Sequence, residues 1–279
     1  MKSYPEGVMP LDRIESRENN IVKQSRKLKI KKYRQQNNRF VIEGIRSVEE
    51  AIESKAHVEY CLCSEALDND RIKTLKETAF KKDIKFYMTK SGLVEELCGT
   101  ETPQGIVAIV EKPNVDLKWL IDSKDFLIIA DRLQDPGNLG TIIRTADAAG
   151  AEGVVLSQGT VDPYSPKVLR STMGSIFHVP VISVPDIYDV IDTMKAKGFT
   201  IYVSSLEGNS AYYQESYAGK TVIVIGNEAK GADSEMIMKA DRLIKIPMPG
   251  MAESLNAAVA GGILMFEVVR KRIQMHGKL

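Results

Sequence analysis

Residues 126–156 read FLIIADRLQDPGNLGTIIRTADAAGAEGVVL, and the fold follows from this stretch. FLIIA is short and wholly apolar, the pattern of a strand buried on both faces. Asp135-Pro136-Gly137 turns the chain, and Asn138 stands where it can cap a helix. Ile142, Ile143, Ala146 and Ala149 recur at helical spacing, and Gly150 is placed to end the helix. GVVL (153–156) is a second buried strand. Strand, helix and strand within about thirty residues predict a parallel α/β sheet.

Downstream the pattern repeats. Val179–Ile182, Phe199–Val203, Thr221–Ile225 and Leu243–Ile246 read as further strands, with helices expected over 138–149, 165–173, 186–197 and 233–239. A long helix runs from about Ser254 to Ile273. In open α/β sheets ligands bind at the carboxyl ends of the strands, so the loops there are the places to search.

Upstream, the first 20 residues are polar. Residues 21–36 read as a basic helix, and strands are expected at Arg39–Glu43, Val58–Cys63, Ile84–Met88 and Gly105–Val110. Helices are expected at Ile45–Ser54, at 70–82 and from a Ser91 cap to Leu97. Pro113 and mixed charges mark a linker. The 279 residues therefore divide into domains 1–112 and 125–279, joined by a linker at 113–124. The net charge of +1 hides an asymmetry. From Lys23 to Arg39 the chain carries eight basic residues and no acid: Lys23, Arg26, Lys27, Lys29, Lys31, Lys32, Arg34 and Arg39. Such a stripe suits a phosphate backbone, although a solvated helix face reads the same way.

Three loops at strand ends carry candidate chemistry. In the first, Arg144 lies about two turns into a helix, where a guanidinium can reach a phosphate or hydroxyl. The second, Gly226-Asn-Glu-Ala-Lys-Gly231, lets backbone approach a ligand closely, while Glu228 favours a ligand with hydroxyls or positive charge. It lacks the middle glycine of a dinucleotide fingerprint. The third, IPMPGMAESLN (246–256), is irregular by virtue of Pro247, Pro249 and Gly250. It runs into a small-residue helix that Ser254 can cap, with Asn256 in its first turn. Each loop alone also reads as ordinary packing.

Taken together and in this order, DPGNLGTIIRT (135–145), GNEAKG (226–231) and IPMPGMAESLN (246–256) resemble the SpoU (TrmH) branch of the SPOUT RNA methyltransferases. NNIVKQSRKL and IEGIRSVEEA in the first part are similar to the ribosomal-protein-like, substrate-recognition domain found in front of many members. The resemblance implies a mostly parallel sheet with a trefoil knot, preceded by a smaller α/β RNA-binding domain. It implies S-adenosylmethionine (SAM) as cofactor, a homodimer formed through the C-terminal domain, and methylation of a ribose 2′-hydroxyl in structured RNA. Large-subunit ribosomal RNA is the first expectation and tRNA the second, so rRNA processing is the expected setting. It also implies site residues. Gly226, Asn227, Gly231, Ile246, Met248, Leu255 and Ser204, Ser205 and Leu206 would hold the cofactor. Asn138, Arg144, Glu228, Ser254 and Asn256 would form the catalytic cluster. Lys23, Arg26, Lys27, Lys31, Arg34, Arg39, Lys167 and Arg170 would contact RNA.

Other classes fit less well. No apolar run is long enough to span a bilayer, and the N-terminus shows no secretory pattern. Cys61, Cys63 and Cys98 have no disulfide-framework spacing, so free thiols in the cytoplasm are expected. His57, His178 and His276 are scattered, and no metal site is expected. A nucleotide-dependent oxidoreductase lacks its glycine-rich turn. A non-catalytic RNA-binding factor on the same fold is the remaining rival.

Overall fold

The computed structural model describes residues 12–90 and 92–276. The chain forms two compact units. The first comprises the chain up to Pro113 together with Tyr164–Phe177, and the second comprises Asn114–Pro163 and His178 onward.

In the first unit the chain runs β1 (Asp12–Ile14), α1 (Asn20–Lys27), α2 (Lys31–Asn37), β2 (Arg39–Glu43), α3 (Ile45–Glu53), β3 (Val58–Ser64), α4 (Asp70–Lys81), β4 (Lys85–Thr89) and β5 (Ile106–Glu111). The five strands form one sheet in the order β1-β4-β3-β5-β2. β5 pairs antiparallel with both β2 and β3, whereas β3, β4 and β1 run parallel. Val22, Leu28, Val41, Leu62, Val107 and Ile109 belong to its core. Asn19 and Asn69 start α1 and α4 by accepting the Ile21 and Ile72 amides, as short polar side chains do at helix N-termini.

Four expectations change here. The basic stretch 21–36 is two helices, broken at Leu28–Ile30, because Arg34 Nη1 turns back onto the carbonyls of Leu28 (2.8 Å) and Lys29 (2.7 Å). Asp12–Ile14, read as part of a polar start, is a strand on β4; residues 1–11 lie outside the described residues. So does Ser91, expected to cap a helix, and the residues after it form turns. Residues 164–177, read with the second domain, belong to the first unit. There the rings of Tyr164 and Phe177 lie 4.8 and 6.3 Å from that of Phe40.

The second unit contains α5 (Leu117–Ser123), β6 (Phe126–Ala130), α6 (Pro136–Ala148) and β7 (Gly153–Leu156). After α7 (Pro166–Thr172), which lies in the first unit, come β8 (Val181–Ser183), α8 (Ile187–Ala196), β9 (Thr200–Ser204), β10 (Ser210–Ala211), β11 (Thr221–Ile225), α9 (Ser234–Lys239), β12 (Arg242–Lys245) and α10 (Ala257–His276). All seven strands are parallel, in the order β10-β12-β9-β11-β6-β7-β8. The stretch read as a linker holds α5, whose Leu120 and Ile121 are buried in this unit's core. The direction of strand addition reverses at β6. From there β7 and β8 step one way, and the later strands fill the other side. At such a reversal the strand-end loops diverge and leave a crevice.

Candidate active site

β6, β11, β12 and β9 bring their carboxyl-terminal loops to one side of the sheet. The loops after β9, β11 and β12 enclose a cavity of about 440 Å³. Its lining includes all nine residues expected to hold a cofactor, namely Ser204, Ser205, Leu206, Gly226, Asn227, Gly231, Ile246, Met248 and Leu255, together with Glu228 and Ser254. Glu207, Lys230 and Glu253 also reach it, and the sequence reading missed these.

Gly226 is fixed by close approach. A Cβ there would sit 2.6 Å from the Gly231 carbonyl carbon and 2.7 Å from the Ala232 nitrogen. The loop closes on itself through Asn227 N to Gly231 O (3.2 Å) and Gly231 N to Asn227 O (2.8 Å). The Asn227 side chain binds both ways. Its Oδ1 accepts the Ala229 and Lys230 amides, and its Nδ2 donates to the Arg132 carbonyl at 2.7 Å. Gly231, at φ +67, supplies the left-handed turn.

Glu228 leaves that loop to accept backbone amides of the first loop, Gln134 N at 3.1 Å and Asp135 N at 3.0 Å, and Asn138 Nδ2 at 3.1 Å. Burial by itself pushes its carboxyl up. The donated hydrogen bonds outweigh that, and the group titrates below the usual carboxylate range. Asn138 Oδ1 then accepts from Asn256 Nδ2 at 2.8 Å. A single chain of bonds, Glu228–Asn138–Asn256, therefore joins all three loops.

The helix starts differ from expectation. Asp135, not Asn138, caps α6 by accepting the Asn138 amide at 2.8 Å. This leaves the Asn138 side chain free for the chain just described. Asn256, not Ser254, caps α10, taking the Ala258 (2.9 Å) and Val259 (3.2 Å) amides on Oδ1. Ser254, in the irregular 246–256 loop, lines the cavity instead. Arg144, on α6, does not line the cavity. It is exposed and makes no hydrogen bond or ion pair among the described residues.

Arg132 was not anticipated. It adopts φ +51, a costly conformation for a non-glycine residue. Its amide binds Ser157 Oγ at 2.8 Å, and its guanidinium binds Asp131 at 2.6 Å and Asp233 at 2.8 Å. Tyr188 completes the group by donating to Asp233 at 2.7 Å. A charged pair directly after a wholly apolar strand was the available signal.

The basic residues of the first unit divide. Lys23, Lys27 and Lys31 are exposed, as is Lys167 of α7. Lys23 pairs with Glu18, Arg26 with Glu96 at 2.9 Å, Arg39 with Glu59, and Arg170 with Glu43 at 2.9 Å. Arg34 must be removed from the stripe. It is 3% exposed, and its guanidinium is spent on main-chain carbonyls. The described residues hold no cluster of three or more metal-ligating side chains, and no helix among them is long and apolar enough to cross a membrane. The three cysteines are free and buried.

Residues 125–266 match the profile of the SpoU rRNA methylase family, and residues 19–108 match that of the MRM3-like substrate binding domain. The chain belongs to the SpoU rRNA methylase family. It is an enzyme that uses SAM to methylate ribose 2′-hydroxyls of RNA. The trefoil knot of that fold fits the strand order, in which β11 enters between two strands laid down before it. Among particular proteins, the chain is 39% identical, over 92% of its length and 99% of the relative's, to the 23S rRNA (guanosine(2553)-2'-O)-methyltransferase RlmP of Bacillus subtilis. It is also similar to the AdoMet-bound rRNA methyltransferase from Sinorhizobium meliloti (TM-score 0.83, 32% identity, 93% and 98% of the two chains). A third likeness is to the SpoU methyltransferase AviRb from Streptomyces viridochromogenes in complex with AdoMet (TM-score 0.81, 30% identity, 92% and 100%).

Proposed function

We propose that the chain methylates one ribose 2′-hydroxyl of large-subunit ribosomal RNA, acting in the cytoplasm as a homodimer formed through its C-terminal part. The observation that carries this reading is the convergence of three strand-end loops on one cavity, with the Glu228–Asn138–Asn256 chain tying the loops together. The full-length likeness to a 23S rRNA 2′-O-methyltransferase supports the choice of RNA.

The cavity suits SAM. Its volume lies within the roughly 300–1,000 Å³ of small-molecule sites. Backbone around Gly226, Ile246 and Leu255 offers the polar groups an adenosine needs, and Met248 and Leu206 offer apolar cover. Glu207, Glu228 and Glu253 give carboxylates in keeping with a cationic ligand. When bound, SAM supplies a methyl group on a good leaving group. The protein then has to orient the ribose hydroxyl and take up its developing charge. Correct alignment of reactants is worth about 7–11 kcal/mol. In this reading Glu228, Asn138 and Asn256 fix the loops that shape the pocket, and Ser254 points a hydroxyl into it.

Arg144 is read as an RNA phosphate clamp that also stabilises the developing alkoxide. A guanidinium holds its proton, which argues against a role as general base. Its helix packs on α10, where Val259, Phe266 and Ile273 recur every seven residues and stand 52%, 48% and 38% exposed. An apolar stripe of that kind on a long helix is what a second copy would cover. Arg144 would then serve the partner's cavity. The test is a map of ribose methylation across total RNA with and without the gene. Loss of one mark in large-subunit rRNA supports the reading, loss in tRNA moves the target, and an unchanged map overturns it.

A further inference from the structure

The first unit contains a second cleft that the methyl-transfer reading does not use. It measures about 350 Å³ and lies between α1, α2 and the β2-β5-β3 end of the sheet. Tyr33 and Tyr60 contribute rings, Gln24 and Gln36 contribute side-chain amides, and Lys27 and Arg39 contribute cations. Leu28 and Ile109 provide an apolar floor.

The arrangement is organised. Lys27 Nζ stands 5.7 Å from the centre of the Tyr33 ring. Tyr60 is fixed from behind, its hydroxyl 3.1 Å from Ser25 Oγ and its ring 5.8 Å from that of Tyr87. The turn that opens the cleft exists because Arg34 binds the Leu28 and Lys29 carbonyls and breaks the basic stretch into two helices. Gln24 and Gln36 are exposed and make no hydrogen bond among the described residues. Their amides are open to a ligand.

Rings, free amides and cations in one cleft match the chemistry of an unstacked base on its sugar-phosphate. A purely electrostatic surface would need only the cations. We propose that this cleft binds an unpaired nucleotide of the RNA substrate. Tyr33 gives the stacking surface, Gln24 and Gln36 read the base edge, and Lys27 takes the adjoining phosphate, with Arg39 held beside it by its ion pair to Glu59. The enzyme then selects RNA in which a nucleotide is flipped out or single-stranded at a second position, apart from the ribose that is methylated. The proposal rests on the reading of the chain as an RNA methyltransferase.

The test uses the full-length protein and fluorescence anisotropy, with a short unpaired RNA and a duplex RNA of equal length as probes. Tyr33→Ala is expected to weaken unpaired RNA about tenfold, the size of one lost base–aromatic stack, and to leave duplex binding unchanged. Tyr33→Phe should bind as wild type, because stacking survives. Gln36→Ala, at an exposed position that does not endanger folding, should also weaken only the unpaired probe. SAM calorimetry on each variant checks that the other unit is intact. Equal weakening of both probes, or of neither, overturns the assignment. If wild type methylates rRNA while Tyr33→Ala keeps its KM for that RNA, the cleft proposal alone fails. If wild type binds neither RNA and transfers no methyl group, the parent reading fails with it.

Discussion

Asn256 donates through Nδ2 to Asn138 Oδ1 at 2.8 Å, and the two residues lie 118 positions apart in the chain. With Asn138 Nδ2 on Glu228, this bond joins the loops after β6, β11 and β12. A neutral hydrogen bond contributes about 0.5–1.5 kcal/mol, and more is lost when its partner is left buried and unpaired.

Asn138→Ala removes two of these bonds and is expected to cost about 1–3 kcal/mol in urea unfolding. Asn256→Ala also removes the α10 cap, worth about 1 kcal/mol. The double variant should cost less than the sum, because the shared bond is lost only once. Strict additivity would show that the two asparagines are energetically independent.

Arg144→Ala should change stability by less than about 0.5 kcal/mol, since the side chain is exposed and unpaired. Single-turnover methylation at saturating RNA is expected to fall by at least about a hundredfold, in line with the loss of a group that stabilises developing charge. Arg144→Lys should recover part of the rate. A near-normal rate for the alanine variant would remove Arg144 from the reaction.

Glu228 sets an acid limit on the site. Its folded-state titration lies below that of the unfolded carboxyl, so its contribution is complete above the unfolded value of about 4.3 and disappears as pH falls through the folded value. Thermal unfolding should therefore show a loss of stability in that acid window. Glu228→Gln, which mimics the protonated group, should flatten the profile there, lower stability near neutrality and converge on wild type at low pH. A profile identical to wild type would contradict the assigned role of the carboxylate.

Gly226→Ala and Gly261→Ala separate two kinds of crowding. At Gly226 the new methyl meets backbone within 2.7 Å on the neighbouring strand of the loop, which cannot move without reshaping the cavity. At Gly261 it meets Ile225 Cδ1 at 2.5 Å, the flexible end of a side chain. Calorimetry is expected to show SAM binding abolished or severely weakened in the first variant. In the second it should be kept, at a stability cost of about 1–3 kcal/mol.

Phe266→Asp places a charge in the exposed stripe of α10. Sedimentation equilibrium should report a dimer for wild type and a monomer for the variant. A monomeric wild type would remove the dimer from the proposed mechanism.

The parallel sheet was legible because both of its faces are covered, so its strands are uninterrupted apolar runs such as FLIIA and TVIVI. The cavity was legible through the resemblance, whose cofactor residues fall in the loops after β9, β11 and β12 that line it. What was lost is what depends on distant partners. Arg34 looks like any member of a basic stripe until the carbonyls of Leu28 and Lys29 are near it. Leu120 and Ile121, in a stretch of mixed charge, reveal themselves as core only when the sheet they cover is present. The helix caps were each misplaced by two or three positions, because Asp135 and Asn138, or Ser254 and Asn256, compete for one role. The winner is set by what the other is bonded to.

The position of β11 has a consequence for how the protein is made. Thr221–Ile225 lies between β6 and β9, both of which leave the ribosome earlier. Until residue 225 has emerged, β6 has a neighbour on one side only and β9 stands apart from it. The second unit therefore cannot complete its sheet during most of its own synthesis. A chain cut short before Thr221 would leave one edge of β6 and both edges of β9 unpaired, open to aggregation or a chaperone.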